Sequence, residues 1–324
     1  MTNLHAALGG ENVSRSFPER EGDVPLELPV NVLASYHFYR RSNMQEMASW
    51  GLRIIGDSGA YSAAVAGARI ELEAYAEWVK RWESSLHWAA SLDVIGDPEG
   101  TWRNWRALTA LGVRTVPTLH YPHDPRGLDR LVEAGADFIG LGGMVPYKSE
   151  PQRLLRWSAA VMRYARDNHP HVRFHGWGVT HPQLLLNLPW WSVDSSGYAS
   201  AYMYGRLILW DPEKARRITV PVGKQGRAVA AHARLLSTHY GLDDWRRIEV
   251  SNAATRRDLV RVSIRSLQLM EKFMTRRWGV TPPASLAHAD RGPNVHAALG
   301  APSMQPTRSL SPSDRPLSTH KDPP

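Results

Sequence analysis

The sequence predicts a (β/α)8 barrel of the TIM type, carrying a basic helical C-terminal extension and a disordered tail. Three observations lead there. Between residues 31 and 222, short apolar runs alternate with helix-patterned stretches, which implies a parallel sheet. The runs number about eight, the count that closes a barrel. Polar and glycine residues collect where the runs end, and in a barrel those ends meet at one mouth.

The expected strands are NVLASYHFY (31–39), RIIGDSG (53–59), WAASLDVIG (88–96), RTVPTLH (114–120), DFIGLGG (137–143), VRFHGWG (172–178) and WSVDSSG (191–197). The eighth comes from GRLILW (205–210) or RITVPV (217–222). Between them, ELEAYAEWVKRW (71–82) spaces Leu72, Tyr75, Trp78, Val79 and Trp82 along one helical face, and 150–167 does the same with Leu154, Trp157, Val161 and Tyr164. A doubly wound open sheet is the alternative. It loses support because neither a G-x-G-x-x-G nor a G-x-x-x-x-G-K-[ST] motif is present. The implied organisation is an N-terminal arm (1–24), a barrel (25–222), a basic helical region (223–284) and a Pro/Ser-rich disordered tail (285–324). The pentapeptide HAALG occurs at 5–9 and 296–300, too far apart for a structural repeat.

Composition narrows the function. The 324 residues are 43% hydrophobic and 22% charged, ordinary values for a globular chain. There is no cysteine, which excludes disulfides, thiolate-ligated zinc, iron–sulfur clusters and a Cys nucleophile. No apolar stretch is long enough to span a membrane and no secretion signal opens the chain, so a cytosolic protein is expected. Lys and Arg number 39 against 31 Asp and Glu, a net charge of +8. Residues 223–279 alone carry a net +7, and the first 222 residues are neutral. The helix expected within RRDLVRVSIRSLQLMEKFMTRRW places Leu259, Val262, Leu267, Met270 and Phe273 on one side. Arg256, Arg257, Arg261 and Arg265 line the other, as a candidate phosphate-binding face. A solvated face on a packed helix is the plainer alternative.

Chemistry gathers at the strand ends. Asp57 in GDSGAY and Asp194 in SVDSSGY each sit among small residues, Ser58 and Gly59 in the first case. An Asx turn would explain Asp57 without function, and a helix cap would explain Asp194. Two carboxylates across a barrel mouth suit glycosyl chemistry, one attacking the sugar carbon and the other moving protons. Asp93 in SLDVIGDP can accept two N–H bonds from the edge of a guanine. Tyr61 and Trp177 can sandwich a flat ring, although core packing also explains Trp177. His120, His123, His175 and Asp194 are a less favoured metal-ligand set, because the first strand carries a lone His37 and no His-x-His pair.

Six motifs now stand in order: GDSGAYS (56–62), SLDVIGDP (91–98), PTLHY (117–121), FIGLGGMV (138–145), GWGVTHP (176–182) and SVDSSGY (192–198). Together they resemble the tRNA-guanine transglycosylase superfamily over about 31–200. The resemblance implies exchange of a polynucleotide guanine for a 7-deazaguanine. It makes Asp194 the nucleophile at C1′ and Asp57 a proton-transfer and base-holding group. It makes Asp93, His120, Gly142 and Gly143 base contacts, with Ser58, Gly59, Tyr61, His175 and Trp177 completing the pocket. It implies no cofactor. The tRNA enzymes hold a zinc with three Cys and one His, which this chain cannot do. DSGAY in place of DSGG, and no Pro-Thr-Arg after Asp194, are more similar to the bacteriophage branch that installs deazaguanines such as preQ0 in DNA. The expected partners are therefore DNA and the free base, in host cytoplasm for a viral chain. A homodimer or a duplex-opening partner is left open. A zinc-free tRNA enzyme and an inactive nucleic-acid-binding barrel are the alternatives.

Overall fold

The barrel begins at the third residue. In the computed structural model, β1 (Asn3–Ala7) lies in parallel register between β2 (Val30–Ser35) and β8 (Ser192–Ser195). The structure describes residues 2–8, 16–179, 181–223 and 227–286, all within one compact unit. The first strand expected at 31–39 is thus the second, and residues 1–24 are not only an arm. NLHAA escaped notice because it has no β-branched residue and is too short to alternate. Residues Tyr36–Tyr39 turn helical rather than prolonging β2.

The remaining strands are β3 (Leu52–Asp57), β4 (Leu86–Ala89), β5 (Thr118–His120), β6 (Phe138–Gly142) and β7 (Arg173–Gly176). The sheet runs β4-β3-β2-β1-β8-β7-β6-β5 with every pairing parallel. A parallel bridge from Ala90 to Val116 joins its two ends, with the Ser91 N–H donating to the Val116 carbonyl at 2.9 Å. Pro117 follows that bridge and has no N–H to continue the ladder, so β5 is short.

Helices follow the strands in sequence: α1 (Met44–Ser49), α2 (Ala60–Val65), α3 (Leu72–Trp82), α4 (Pro98–Ala110), α5 (Gly127–Glu133), α6 (Pro151–Asn168) and α7 (Pro182–Asn187). The expected faces are the buried ones, Tyr75, Trp78 and Val79 on α3 and Leu154, Trp157 and Val161 on α6. Beyond β8 come α8 (Ser200–Tyr204) and an antiparallel hairpin of β9 (Arg206–Asp211) and β10 (Arg216–Pro221). The two runs offered for the eighth strand pair with each other, because β1 already completes the barrel.

Strands buried on both faces divide two kinds of core. Inside the barrel lie Leu33, Ile55, Trp88, Val116, Phe138 and Trp191, with Phe138 edge-on to Trp88 and Trp191 at 5.0 and 4.9 Å. Outside, Val32 and Ile54 pack against the helices. Val280 and Leu286 pack against the interior cluster, and Ala284–Leu286 forms a single helical turn whose Ser285 N–H donates to Asp137. The tail expected from 285 therefore begins with ordered residues, and its remainder lies outside the described ones.

The long helix α9 (Arg256–Trp278) runs antiparallel to β1. The Thr2 N–H donates to Thr275 Oγ1 at 3.0 Å and the Leu4 N–H to Glu271 Oε2 at 3.4 Å. Burial pushes the Glu271 carboxyl up to about 7, opposed by its bonds from Leu4 and Asn31. Three of the four arginines expected to form a phosphate face, Arg257, Arg261 and Arg265, are engaged by the N-terminal segment instead. Arg261 is 1% exposed, and its guanidinium donates to the Ser16, Phe17 and Val24 carbonyls and pairs with Asp23. Arg257 binds Asp23 and the Pro18 carbonyl; Arg265 binds Glu27. Arg256 lies over the Tyr202 ring. Buried guanidinium groups need partners, and the N-terminal segment supplies them, so this charge fastens the chain's start to its last long helix.

Candidate active site

The carboxylates meet at the C-terminal ends of the strands. Asp57 ends β3, Asp194 lies near the end of β8, and Asp93 follows β4. They are close enough that the charges of Asp194 and Asp93 raise the Asp57 carboxyl. Burial is the larger cause, and together they bring it to about 7. A carboxyl at that position is divided between acid and base at neutral pH, as proton transfer in both directions requires.

The DSG turn that places Asp57 is tight. The Gly59 N–H donates to Asp57 Oδ2 at 3.0 Å, so the Asx turn is present. Gly59 has φ +73°, and a Cβ there would stand 2.2 Å from Ser35 Oγ and 2.6 Å from His37 Cβ. Only glycine fits. Ser58 is buried, and Tyr61 stands half-exposed on the first turn of α2.

Asp194 is held on one side. Its Oδ1 accepts the Gly178 N–H at 2.8 Å and the His175 Nε2 at 3.3 Å. Its Oδ2 accepts no hydrogen bond among the described residues. A helix cap does not explain it. His175 is fully buried, with Nδ1 2.7 Å from Ser192 Oγ, and burial lowers its pKa. The neutral tautomer that fits donates from Nε2 to Asp194 and accepts the Ser192 hydroxyl at Nδ1. The histidine thus orients the carboxylate and adds no net charge.

Asp93 faces His120, with Oδ2 3.2 Å from Nε2. Its Oδ1 is buried with no partner among the described residues, as are Ser35 Oγ and Ser91 Oγ at neighbouring strand ends. Each such group costs about 1–3 kcal/mol when left unsatisfied, so this end of the barrel is suited to a polar occupant. Tyr75 donates its hydroxyl to the Ala90 carbonyl at 2.8 Å beneath them. Burial, with the charges of Asp57 and Asp93, raises its pKa.

Trp177 lies partly inside the barrel. Its Nε1 donates to Thr118 Oγ1 at 3.2 Å, and its ring meets those of His175 and Trp88 edge-on at 4.1 and 5.8 Å. A Cβ on Gly140 would fall 2.1 Å from that Nε1, so the glycine admits the indole. Gly142 is buried, where a Cβ would press on Thr118 Cγ2 at 2.7 Å; Gly143 has φ +71° and is exposed.

Sequence reasoning missed Ser35, Ser91, Gly178 and Ser192. Ser35 would have been found had the second strand been ended there rather than at Tyr39. Asp97, the second carboxylate of SLDVIGDP, caps α4 by accepting the Gly100 N–H at 2.9 Å. The metal-ligand set does not assemble. His120 pairs with Asp93, His175 with Asp194, and His123 is exposed. Among the described residues no three His, Asp or Glu side chains form a candidate metal cluster, and no helix is long and apolar enough to cross a membrane.

In comparison with known proteins, the chain matches no family model and no curated protein.

Proposed function

We propose that the chain is a guanine transglycosylase that exchanges guanine in DNA for a 7-deazaguanine such as preQ0. The observation that carries this reading is the carboxylate trio at the barrel mouth, in which Asp194 is held by one oxygen while Asp57 is brought to about 7. The ordered motifs give the chemistry, and the absence of cysteine directs it away from the zinc-bearing tRNA enzymes.

Asp194 Oδ2 attacks C1′ of the target deoxyguanosine while the C1′–N9 bond breaks. The protonated Asp57 gives its proton to the departing guanine. This leaves a glycosyl ester on Asp194 and a carboxylate on Asp57. The incoming deazaguanine gives its ring N–H proton to Asp57, its nitrogen attacks C1′, and Asp194 leaves. Two displacements retain the configuration at C1′. The free oxygen of Asp93, with Ser35 and Ser91, can bind the base edge. A target in duplex DNA must leave the stack to reach Asp194.

The test is uptake of preQ0 into duplex DNA, single-stranded DNA or tRNA, with the modified nucleoside identified by mass spectrometry after digestion. Modified deoxynucleoside, absent with Asp194→Asn, is expected. Modification of tRNA alone would redirect the reading to tRNA. Binding with no exchange in any polymer would favour an inactive barrel.

A further inference from the structure

A cavity of about 580 Å³ lies on the outer side of β8, opposite the face that carries Asp194. Successive residues on a strand point to opposite faces and stand ~3.3 Å apart along it, so Ser195 borders the cavity directly beyond the candidate nucleophile. Its walls come from loops at the barrel mouth, from the β9–β10 hairpin and from α9.

Charge distinguishes this cavity. Lys148, Arg206, Arg217 and His181 line it, and no Asp or Glu does among the described residues. Arg206 lies 5.7 Å over the Tyr204 ring, and neither it nor Lys148 forms an ion pair with a described residue. Burial, and secondly the charge of Arg217, lowers the pKa of His181, which shares the cavity wall with that arginine. Deeper in, Leu185, Trp210 and Met270 supply an apolar surface. The volume is that of a drug-sized ligand site.

We propose that this cavity binds a nucleotide unit of the polymer beside the target, with its phosphate between Arg206 and Lys148. The choice of a nucleic-acid polymer rests on the transglycosylase reading; the anionic chemistry does not. The site supplies a phosphate contact at the rim, which Arg257, Arg261 and Arg265 of α9 cannot make because they hold the N-terminal segment.

The test is binding of a fluorescent single-stranded 12-mer by anisotropy at several salt concentrations, with wild type, Arg206→Gln/Lys148→Gln and Asp194→Asn. Each neutralised phosphate contributes about 0.7 to the log–log salt slope of a single strand, so losing this one phosphate contact should make the double variant shallower by about 0.7. Its affinity at low salt should fall about tenfold or more. Asp194→Asn should keep the wild-type slope. Both altered side chains border solvent, so folding should survive. An unchanged slope in the double variant would overturn the site, whatever base exchange gives. A reduced slope without exchange by wild type would support the cavity and overturn the transglycosylase reading instead. Deoxyguanosine monophosphate bound through Arg206 and Lys148, with no binding of the 12-mer, would assign the cavity to a free nucleotide and overturn the polymer assignment.

Discussion

Asp57→Asn should make the protein more stable, increasingly so as pH rises. The carboxyl lies near 7 in the folded state against an ordinary 3.8. Between those values the folded chain binds more protons than the unfolded one, so stability falls as pH rises through the window. At ~1.36 kcal/mol per pKa unit, the folded state's cost at alkaline pH is about 4 kcal/mol, of which roughly 2 accrues between pH 5.5 and 8.5. Asparagine can still accept the Gly59 N–H while removing the charge that Asp194 and Asp93 oppose. Urea unfolding of wild type and variant at pH 5.5, 7 and 8.5 should show wild type losing about 2 kcal/mol more than the variant across that range. Base exchange should meanwhile be lost. Parallel pH profiles within about 0.5 kcal/mol would refute the placement of a strained carboxyl at Asp57.

Arg261→Ala should cost about 3–5 kcal/mol in urea unfolding, because three backbone carbonyls would be left buried without their donor while Asp23 keeps only Arg257 as its ion-pair partner. A loss below about 1 kcal/mol would contradict the clamp. Gly59→Ala forces a Cβ to within 2.2 Å of Ser35 Oγ at a left-handed φ. It should destabilise by about 1–3 kcal/mol and abolish exchange, read by thermal melting and the preQ0 assay. Gly140→Ala should displace the Trp177 indole and weaken base binding about tenfold, measured by titration calorimetry with free preQ0.

The fold was legible because β2 through β8 carry dense apolar runs and their ends carry Asp, His and Gly. Asp57, Asp93, His120, His175 and Asp194 were found by that rule, since a barrel brings strand ends to one place. β1 was not legible, because His5 and Ala6 give a strand no local signature and only pairing with Val32 and Asp194 makes them one. The basic region was read with the right helix, but three of the four arginines named on it face the N-terminal segment. Spacing puts Arg257, Arg261 and Arg265 near one another, but cannot reveal that Asp23 and Glu27, more than 200 residues away, occupy them. Gly140 could be read as small, yet the indole that requires it arrives from another strand.

The most direct measurement is mass spectrometry of the protein incubated with a guanine-containing single-stranded oligodeoxynucleotide, quenched in acid and digested for peptide mapping. The account predicts a glycosyl-linked adduct on the peptide containing Asp194, absent with Asp194→Asn and discharged by preQ0. An adduct on another residue, or exchange that proceeds undiminished in Asp194→Asn, would contradict it.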